Sequence, residues 1–391
     1  MEKIYLDNAA TTPVDERVAE AMLPYLKGKF GNASSVHSFG REAKVLLEDS
    51  RDLIAHFLGA RPSEIYFTSG GTEANNFAIK GLSFNRLNQP IGTNQGHIIS
   101  SKIEHPSVMD TLEYLSERFG FNITFINNDK HGVIDIQNLT DSITDDTFLI
   151  CIIHANNEIG IINDIARISK AASTGSIHVH ADTVQSFGKI LFKIKDLGCN
   201  TASISAHKIY GPKGIGALYI KHNTQTDKFM HGGKQEHGRR GGTENIANIA
   251  GFKKAVEILK DEMNSDMAKY KKLKERLVDL LINEYGDKII YHSVINNDAN
   301  TKGLNNILNI SFNPKKIKTD PETLLIKLDM KRIAVSSGSA CNSGSINPSH
   351  VIKALGYDDQ TAATSIRISF GRLNKDSDID ELVKALKEIV N

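Results

Sequence analysis

Lysine and cysteine are the side chains best suited to covalent chemistry, and one of each stands out here by its surroundings. Ser203-Ile204-Ser205-Ala206-His207-Lys208 reads as a buried strand that delivers a histidine and a lysine into the glycine-rich turn Ile209-Tyr210-Gly211-Pro212-Lys213-Gly214. A lysine so placed can form a Schiff base with a carbonyl cofactor once burial or a neighbouring cation lowers its pKa. A solvated surface charge is the ordinary alternative in a chain with 47 Lys and Arg residues. Cys341 lies within Val335-Ser336-Ser337-Gly338-Ser339-Ala340-Cys341-Asn342-Ser343-Gly344-Ser345, small residues with little to pack. Such a loop suits a thiolate that must travel, whereas Cys151 and Cys199 sit in better-packed surroundings and read as buried small hydrophobes.

Other candidate strands also end on chemical groups. Ser69-Gly70-Gly71-Thr72-Glu73 is a glycine turn entering a helix, either a cradle for an anion such as phosphate or an ordinary helix start. It lacks the GxxxxGK[ST] spacing of a nucleotide P-loop. Glu104-His105-Pro106-Ser107 and His154-Ala155-Asn156-Asn157 follow two further strands; the histidines could stack on a cofactor or be structural, and the asparagines could simply form a turn. Asp182, with Gln185 behind it, could pair with a protonated pyridine nitrogen. His178 and His180 share its strand face, which raises metal binding, but one strand gives no complete ligand shell. Arg367 could hold a substrate carboxylate or make a structural salt bridge, and the loop from Gly232 to Thr243 could reach a phosphate or remain a solvated basic loop. Together these groups specify pyridoxal phosphate (PLP) better than any one of them does.

The elements that must position them alternate. Candidate strands are Ile65–Thr68, His97–Ser101, Asn122–Ile126, Phe148–Ile153, Ile177–Ala181, Thr201–Ser205 and Ile215–Ile220, mostly separated by helix-length segments. That pattern predicts a doubly wound, mostly parallel seven-stranded sheet, with ligands beyond the carboxyl ends of the strands. The link from Ala206 to Gly214 is too short for a crossover helix, so the last strand is expected antiparallel. Helices are predicted over Val14–Leu26 and Arg41–Leu58, and a long one from Thr243 to about Asn283. Beyond it, Asn306–Phe312, Arg332–Val335, Ser365–Phe370 and a closing helix predict a smaller α+β domain. The division expected is 14–260 for the large domain, and 1–13 with 261–391 for the small one, whose cysteine loop spans about 335–346. Gln89 to Gly96 and the basic stretch Asn313 to Asp320 read as exposed insertions.

The 391 residues carry a net charge of +1, which calls for neither nucleic acid nor an anionic membrane surface. No apolar run spans a bilayer, the N-terminus does not read as a targeting segment, and a cytoplasmic protein is expected. Three cysteines without CxxC spacing argue against a disulfide framework or a four-ligand zinc site.

The motifs YLDNAATTP, FTSGGTEANN, EHPSV, HANNEIG, SAHKxYGPKGIGALY, GTEN, SSGSACNSG and SIRISFGR occur in order from about Ile4 to Lys375. The chain thereby resembles the cysteine desulfurases of the NifS/IscS type, in the group with the longer cysteine loop. The resemblance implies a fold-type I PLP enzyme, a homodimer with active sites at the subunit interface. It implies that Lys208 carries PLP, that Gly71, Thr72, Ser205 and His207 bind its phosphate with Thr243 of the partner subunit, and that Asp182 pairs with the ring nitrogen. Gln185 and Asn157 would contact the ring hydroxyl, His105 would stack on the ring, and Arg367 with Asn157 would hold the substrate carboxylate. Lys208, Cys341 and His105 would be catalytic, with sulfur passing from L-cysteine to a Cys341 persulfide and then to an iron–sulfur scaffold or other acceptor protein. Cys341 could transiently ligate a cluster; no resident metal is implied.

Ala33, Ala181-Asp182-Thr183 and the length of the Asn313 to Asp320 stretch depart from the family pattern. The first two touch packing; the third touches the surface an acceptor would meet. The competing readings are a selenocysteine lyase or another PLP enzyme of this fold, and, from a different class, a non-catalytic iron–sulfur assembly scaffold.

Overall fold

A computed structural model describes residues 3–88, 95–173, 175–299, 301–317, 319–337 and 348–390. After a short β1 (Ile4–Tyr5), the strands β2 (Ile65–Thr68), β3 (His97–Ser101), β4 (Asn122–Ile126), β5 (Thr147–Ile153), β6 (His178–Asp182), β7 (Thr201–Ser205) and β8 (Gly216–Ile220) follow. The last seven form one sheet in the order β2-β8-β7-β6-β5-β3-β4. β8 runs antiparallel to both its neighbours, and all other pairs are parallel. This is the predicted sheet: helices supply the parallel crossovers, and the turn after β7 has no room for one. Every residue of β5 is buried, as expected of an inner strand apolar on both faces. The carboxyl ends of β2, β3, β5, β6 and β7 therefore lie along one edge of the sheet.

Element starts differ from expectation where a polar side chain caps earlier or later than the apolar pattern suggests. The first helix begins at Glu16, not Val14, because the Asp15 side chain accepts from the Arg17 N–H. The second covers Ser38–Leu58, since His37 accepts from Gly40 N–H ahead of the predicted start at Arg41. Asn245 caps the long helix, which runs Ile246–Tyr285 over 40 residues. Its first half buries Ile249, Phe252, Val256 and Leu259 in the core beneath the large sheet, where Val351 and Ile352 also pack. Its second half buries Tyr270, Leu273, Leu277 and Leu281 in a separate apolar cluster.

That second cluster sits on β9 (Ile289–Tyr291), β10 (Ile307–Phe312), β12 (Ser336–Ser337) and β13 (Ser365–Ser369), a four-stranded antiparallel sheet in the order β12-β13-β10-β9. β11 (Ile333–Ala334) pairs instead with β1, in parallel. The N-terminal piece is thus fastened to this half of the molecule. A closing helix, Asp376–Val390, buries Ile379, Leu382 and Leu386 against the same cluster. Of the two expected insertions, residues 89–94 and 318 lie outside the described residues; Asn313 caps a turn, accepting from Lys315 N–H.

Candidate active site

The strand ends enclose a pocket of about 510 Å³. Gly71, Thr72, His105, Asn157, Asp182, Gln185, His207, Lys208 and Arg367, nine of the residues singled out from the sequence, line it together.

Lys208 ends a 3-10 turn that leaves β7. Its ammonium donates to the carbonyls of Ala9 (2.6 Å) and Ala10 (2.8 Å), so the N-terminal segment passes directly over the reactive amine. Burial pushes the amine down to about 7; the Arg367 and Lys189 charges push the same way, against Asp7 and Asp182. A substantial fraction is therefore uncharged near neutrality, which a lysine nucleophile requires.

Asp182 is the last residue of β6 and is 4% exposed. Its oxygens accept from Asn75 Nδ2 (2.8 Å), Val184 N–H (3.0 Å) and Ser203 Oγ (3.3 Å). Among the described residues, no cationic side chain forms an ion pair with it. A buried carboxylate held by neutral donors is prepared for a cation that enters the pocket. Asn75 is in turn oriented by His180, whose Nε2 meets Asn75 Oδ1 at 3.0 Å while Nδ1 meets Thr201. With both ring nitrogens engaged, His180 does not join Asp182 in a metal site.

Opposite this network lies the start of the helix Gly71–Leu87, whose first backbone N–H groups have no partners within the helix. A Cβ on Gly71 would stand 2.6 Å from Val184 Cγ2, so only glycine lets the turn approach this closely. Ser205 lies beneath the turn, and its buried hydroxyl has no hydrogen-bond partner among the described residues. An unpartnered hydroxyl beside free N–H groups fits an anion.

His105 caps the helix Pro106–Phe119, its Nδ1 accepting from Ser107 N–H at 3.1 Å. That bond fixes the ring at the pocket wall, and burial lowers its pKa, opposed by Asp182. His207, pushed down to about 4 by burial, meets Thr11 Oγ1 through Nδ1. Gln185 donates to the Ala9 carbonyl at 2.8 Å. Arg367 donates to the Asn157 carbonyl (3.0 Å) and to Asp7 Oδ1 (2.8 Å), and its buried Nε has no partner among the described residues.

Two expected participants stand apart. Thr243 is exposed on the glycine-rich loop and does not line this pocket. Cys341 lies in residues 338–347, outside the described residues. The flanks of that stretch are placed: Ser336 pairs with Arg367 across β12 and β13, and Ser349 donates to Glu158 Oε2, whose side chain lines the pocket. Cys151 and Cys199 are buried, as read from sequence.

Sequence reading did not single out Asn75, Asp7 or Lys189. Asn75 follows Gly71 by one helical turn, so its position on the pocket side of that helix was the available signal. Nothing comparable marks Asp7 or Lys189, which reach the site through chain crossings.

Residues 4–382 match the aminotransferase class-V family. The chain is 42% identical over 388 residues to the cysteine desulfurase IscS of Dictyoglomus turgidum, covering 99% of this chain and 94% of the relative. Among solved structures it is similar to a NifS-like protein (TM-score 0.89, 35% identity, 99% of both chains). It is likewise similar to SspA in complex with cysteine (TM-score 0.80, 37% identity, 94% of this chain and 99% of that one). With near-complete coverage in each comparison, and a pocket whose lysine, carboxylate and glycine turn stand where that family's motifs put them, this chain belongs to the class-V aminotransferase family and within it to the cysteine desulfurases of the NifS/IscS type.

Proposed function

We propose that the pocket binds PLP and L-cysteine and that the enzyme releases alanine while leaving the sulfur as a persulfide on Cys341. The observation that carries this reading is Lys208: a pocket amine held near neutrality, facing a buried carboxylate that lacks a cation. The residues present fit the cofactor. Lys208 would hold its aldehyde carbon and Asp182 its ring nitrogen. Gly71, Thr72, Ser205 and His207 would take its phosphate, joined by Thr243 of the partner subunit in a homodimer. His105 would stack on the ring, and Gln185 and Asn157 would contact its hydroxyl.

PLP supplies an electron sink conjugated to the substrate Cα. The protein does the rest. Arg367, with Asn157, binds the substrate carboxylate and orients Cα toward Lys208. Lys208, once free and uncharged, removes the Cα proton and can return it. Cys341 attacks the substrate sulfur as a thiolate, so that a sulfur–sulfur bond forms as the carbon–sulfur bond breaks and the electron pair stays with the carbon skeleton released as alanine. The persulfide then passes to an iron–sulfur scaffold or another acceptor protein. No helix among the described residues is long and apolar enough to cross a membrane, and we place the enzyme in the cytoplasm.

Incubating the holoenzyme with L-cysteine and analysing Cys341 by mass spectrometry tests the reading. Alanine release should match persulfide on Cys341, with sulfur moving on when an acceptor is added. A Cys341→Ser variant that delivers sulfur to an acceptor protein as fast as wild type would refute the persulfide route.

A further inference from the structure

Lys189 is a buried lysine to which the mechanism above gives no role. It follows Gly188, a glycine at φ 76° whose Cβ would stand 2.7 Å from Ile209 Cγ2. The tight turn directs the Lys189 side chain inward, under the segment that carries Lys208. Its ammonium donates to the backbone carbonyl of Lys208 at 2.6 Å. Burial pushes it down to about 8.

A buried ammonium is costly unless a carboxylate neutralises it. Among the described residues, Lys189 has no ion-pair partner: the acid that acts on it, Asp266, is engaged by Arg372 at 2.6 Å. Arg372 in turn faces Asp15 and Glu262 at 3.5 Å. Asp266 is thus taken up by Arg372 and does not pair with Lys189, whose charge also acts on Lys208. A second cation behind a reactive lysine favours its free-base form, a recognised way to activate an amine.

We propose that Lys189 is a positioning residue for the desulfurase reaction: it fixes the Lys208 peptide by its hydrogen bond and sets a positive charge behind the reactive amine. The proposal rests on Lys208 being the cofactor lysine. The other groups facing Lys208 are Arg367 from β13, Asp182 from β6, Asp7 from the N-terminal segment, and the two histidines His207 and His105. Burial keeps both imidazoles below their usual range. Lys189, pushed down to about 8, titrates close to Lys208.

Two substitutions separate charge from hydrogen bond. Lys189→Gln retains a donor for the carbonyl and removes the charge; Lys189→Arg retains the charge. In the full-length apoenzyme, trace acetylation across pH with peptide mass spectrometry gives the titration of the Lys208 amine directly. In Lys189→Gln it should move up by at least about half a pH unit, about a threefold loss of free amine at a given pH. The acid limb of the kcat/KM profile of the holoenzyme should follow. In Lys189→Arg both should stay at or below the wild-type position.

An unmoved Lys208 titration in Lys189→Gln overturns the proposal, as does the same upward shift in both variants. Should Lys189→Gln fail to fold, Lys189→Arg decides alone, since an upward shift there contradicts a role for the charge. Borohydride reduction of the wild-type holoenzyme, followed by peptide mapping, is the separate control. A cofactor found on another lysine sinks the assignment of Lys208 without touching the amine titration.

Discussion

The ion pair between Arg51 and Glu236 allows a quantitative test of how the site is held together. Both side chains are 2% exposed. Glu236 accepts from Arg51 NH1 (2.8 Å), Arg51 NH2 (3.0 Å) and the Phe67 N–H (2.7 Å). Phe67 is in β2, which leads into the Gly70-Gly71 turn, and Glu236 is in the loop that leads to Thr243. Arg51→Leu leaves the Glu236 carboxylate buried with only one backbone donor, a loss of about 3–5 kcal/mol. Glu236→Leu strands Arg51, which keeps Ile65 O and the more exposed Glu48, and it also orphans the Phe67 N–H. That change should cost about 3 kcal/mol for the charge and a further ~1 kcal/mol or more for the amide. Replacing both by leucine removes both charges and leaves only unsatisfied backbone groups, about 1–3 kcal/mol in all. The two single losses should therefore exceed the double loss by about 3 kcal/mol or more. Urea unfolding followed by far-UV circular dichroism reads this, since the chain has no tryptophan to report it. Losses that add to within about 0.5 kcal/mol would show the pair to be energetically independent and the reasoning wrong.

Stability should also fall on mild acidification. His154 and His207 at about 4 and His292 at about 3 are kept neutral in the fold by burial, while an unfolded histidine titrates near 6.5. Their contribution is complete above about pH 6.5 and is lost as pH drops toward the folded values. Glu104, raised to about 8 by burial, acts in the opposite sense, because its unfolded carboxyl releases a proton that the folded one keeps. From these four groups the balance is uptake of about two protons on unfolding near pH 5.5, and His180, also held at about 4, adds in the same sense; the slope of unfolding free energy against pH measures it, and a flat or inverted slope would contradict it. At the substrate end, Arg367→Lys should raise KM for L-cysteine about tenfold or more with a smaller change in kcat, and an unchanged KM would remove Arg367 from carboxylate binding.

The parts of the site that could be read from the sequence are those fixed by strand geometry. Lys208, Asp182, His105 and the Gly70-Gly71 turn each follow a strand, and a parallel sheet brings strand ends to one edge whatever the loops do. The parts not legible depend on which segments cross in space. Asp7 and Ala9 reach the pocket because β1 is pinned to β11, a pairing between residues at opposite ends of the chain that no local pattern announces. Asn75 contacts Asp182 because the helix Gly71–Leu87 lies across β6 and β7, and Lys189 reaches the Lys208 carbonyl through a glycine turn packed on Ile209 and Leu259. Helix starts were missed for a smaller reason: Asp15, His37 and Asn245 act as caps through their side chains, and hydrophobic periodicity does not register a cap.

The N-terminal crossing also leaves Arg367 with donors for the substrate carboxylate proposed above. A guanidinium has five N–H donors. Asp7 and the Asn157 carbonyl each engage one nitrogen, and the buried Nε has no partner among the described residues. The contact with Asp7 involves one carboxylate oxygen and one NH2 group, not the two-toothed fork that would close the guanidinium to other acceptors. Asp7 therefore orients the group and balances part of its charge while donors remain for a substrate. A lysine at the same position could hold Asp7 or the substrate with its single ammonium, but could not present a planar edge to one while bound to the other. The same segment holds Lys208 through Ala9 and Ala10, so the strap that aims Arg367 also restrains the amine.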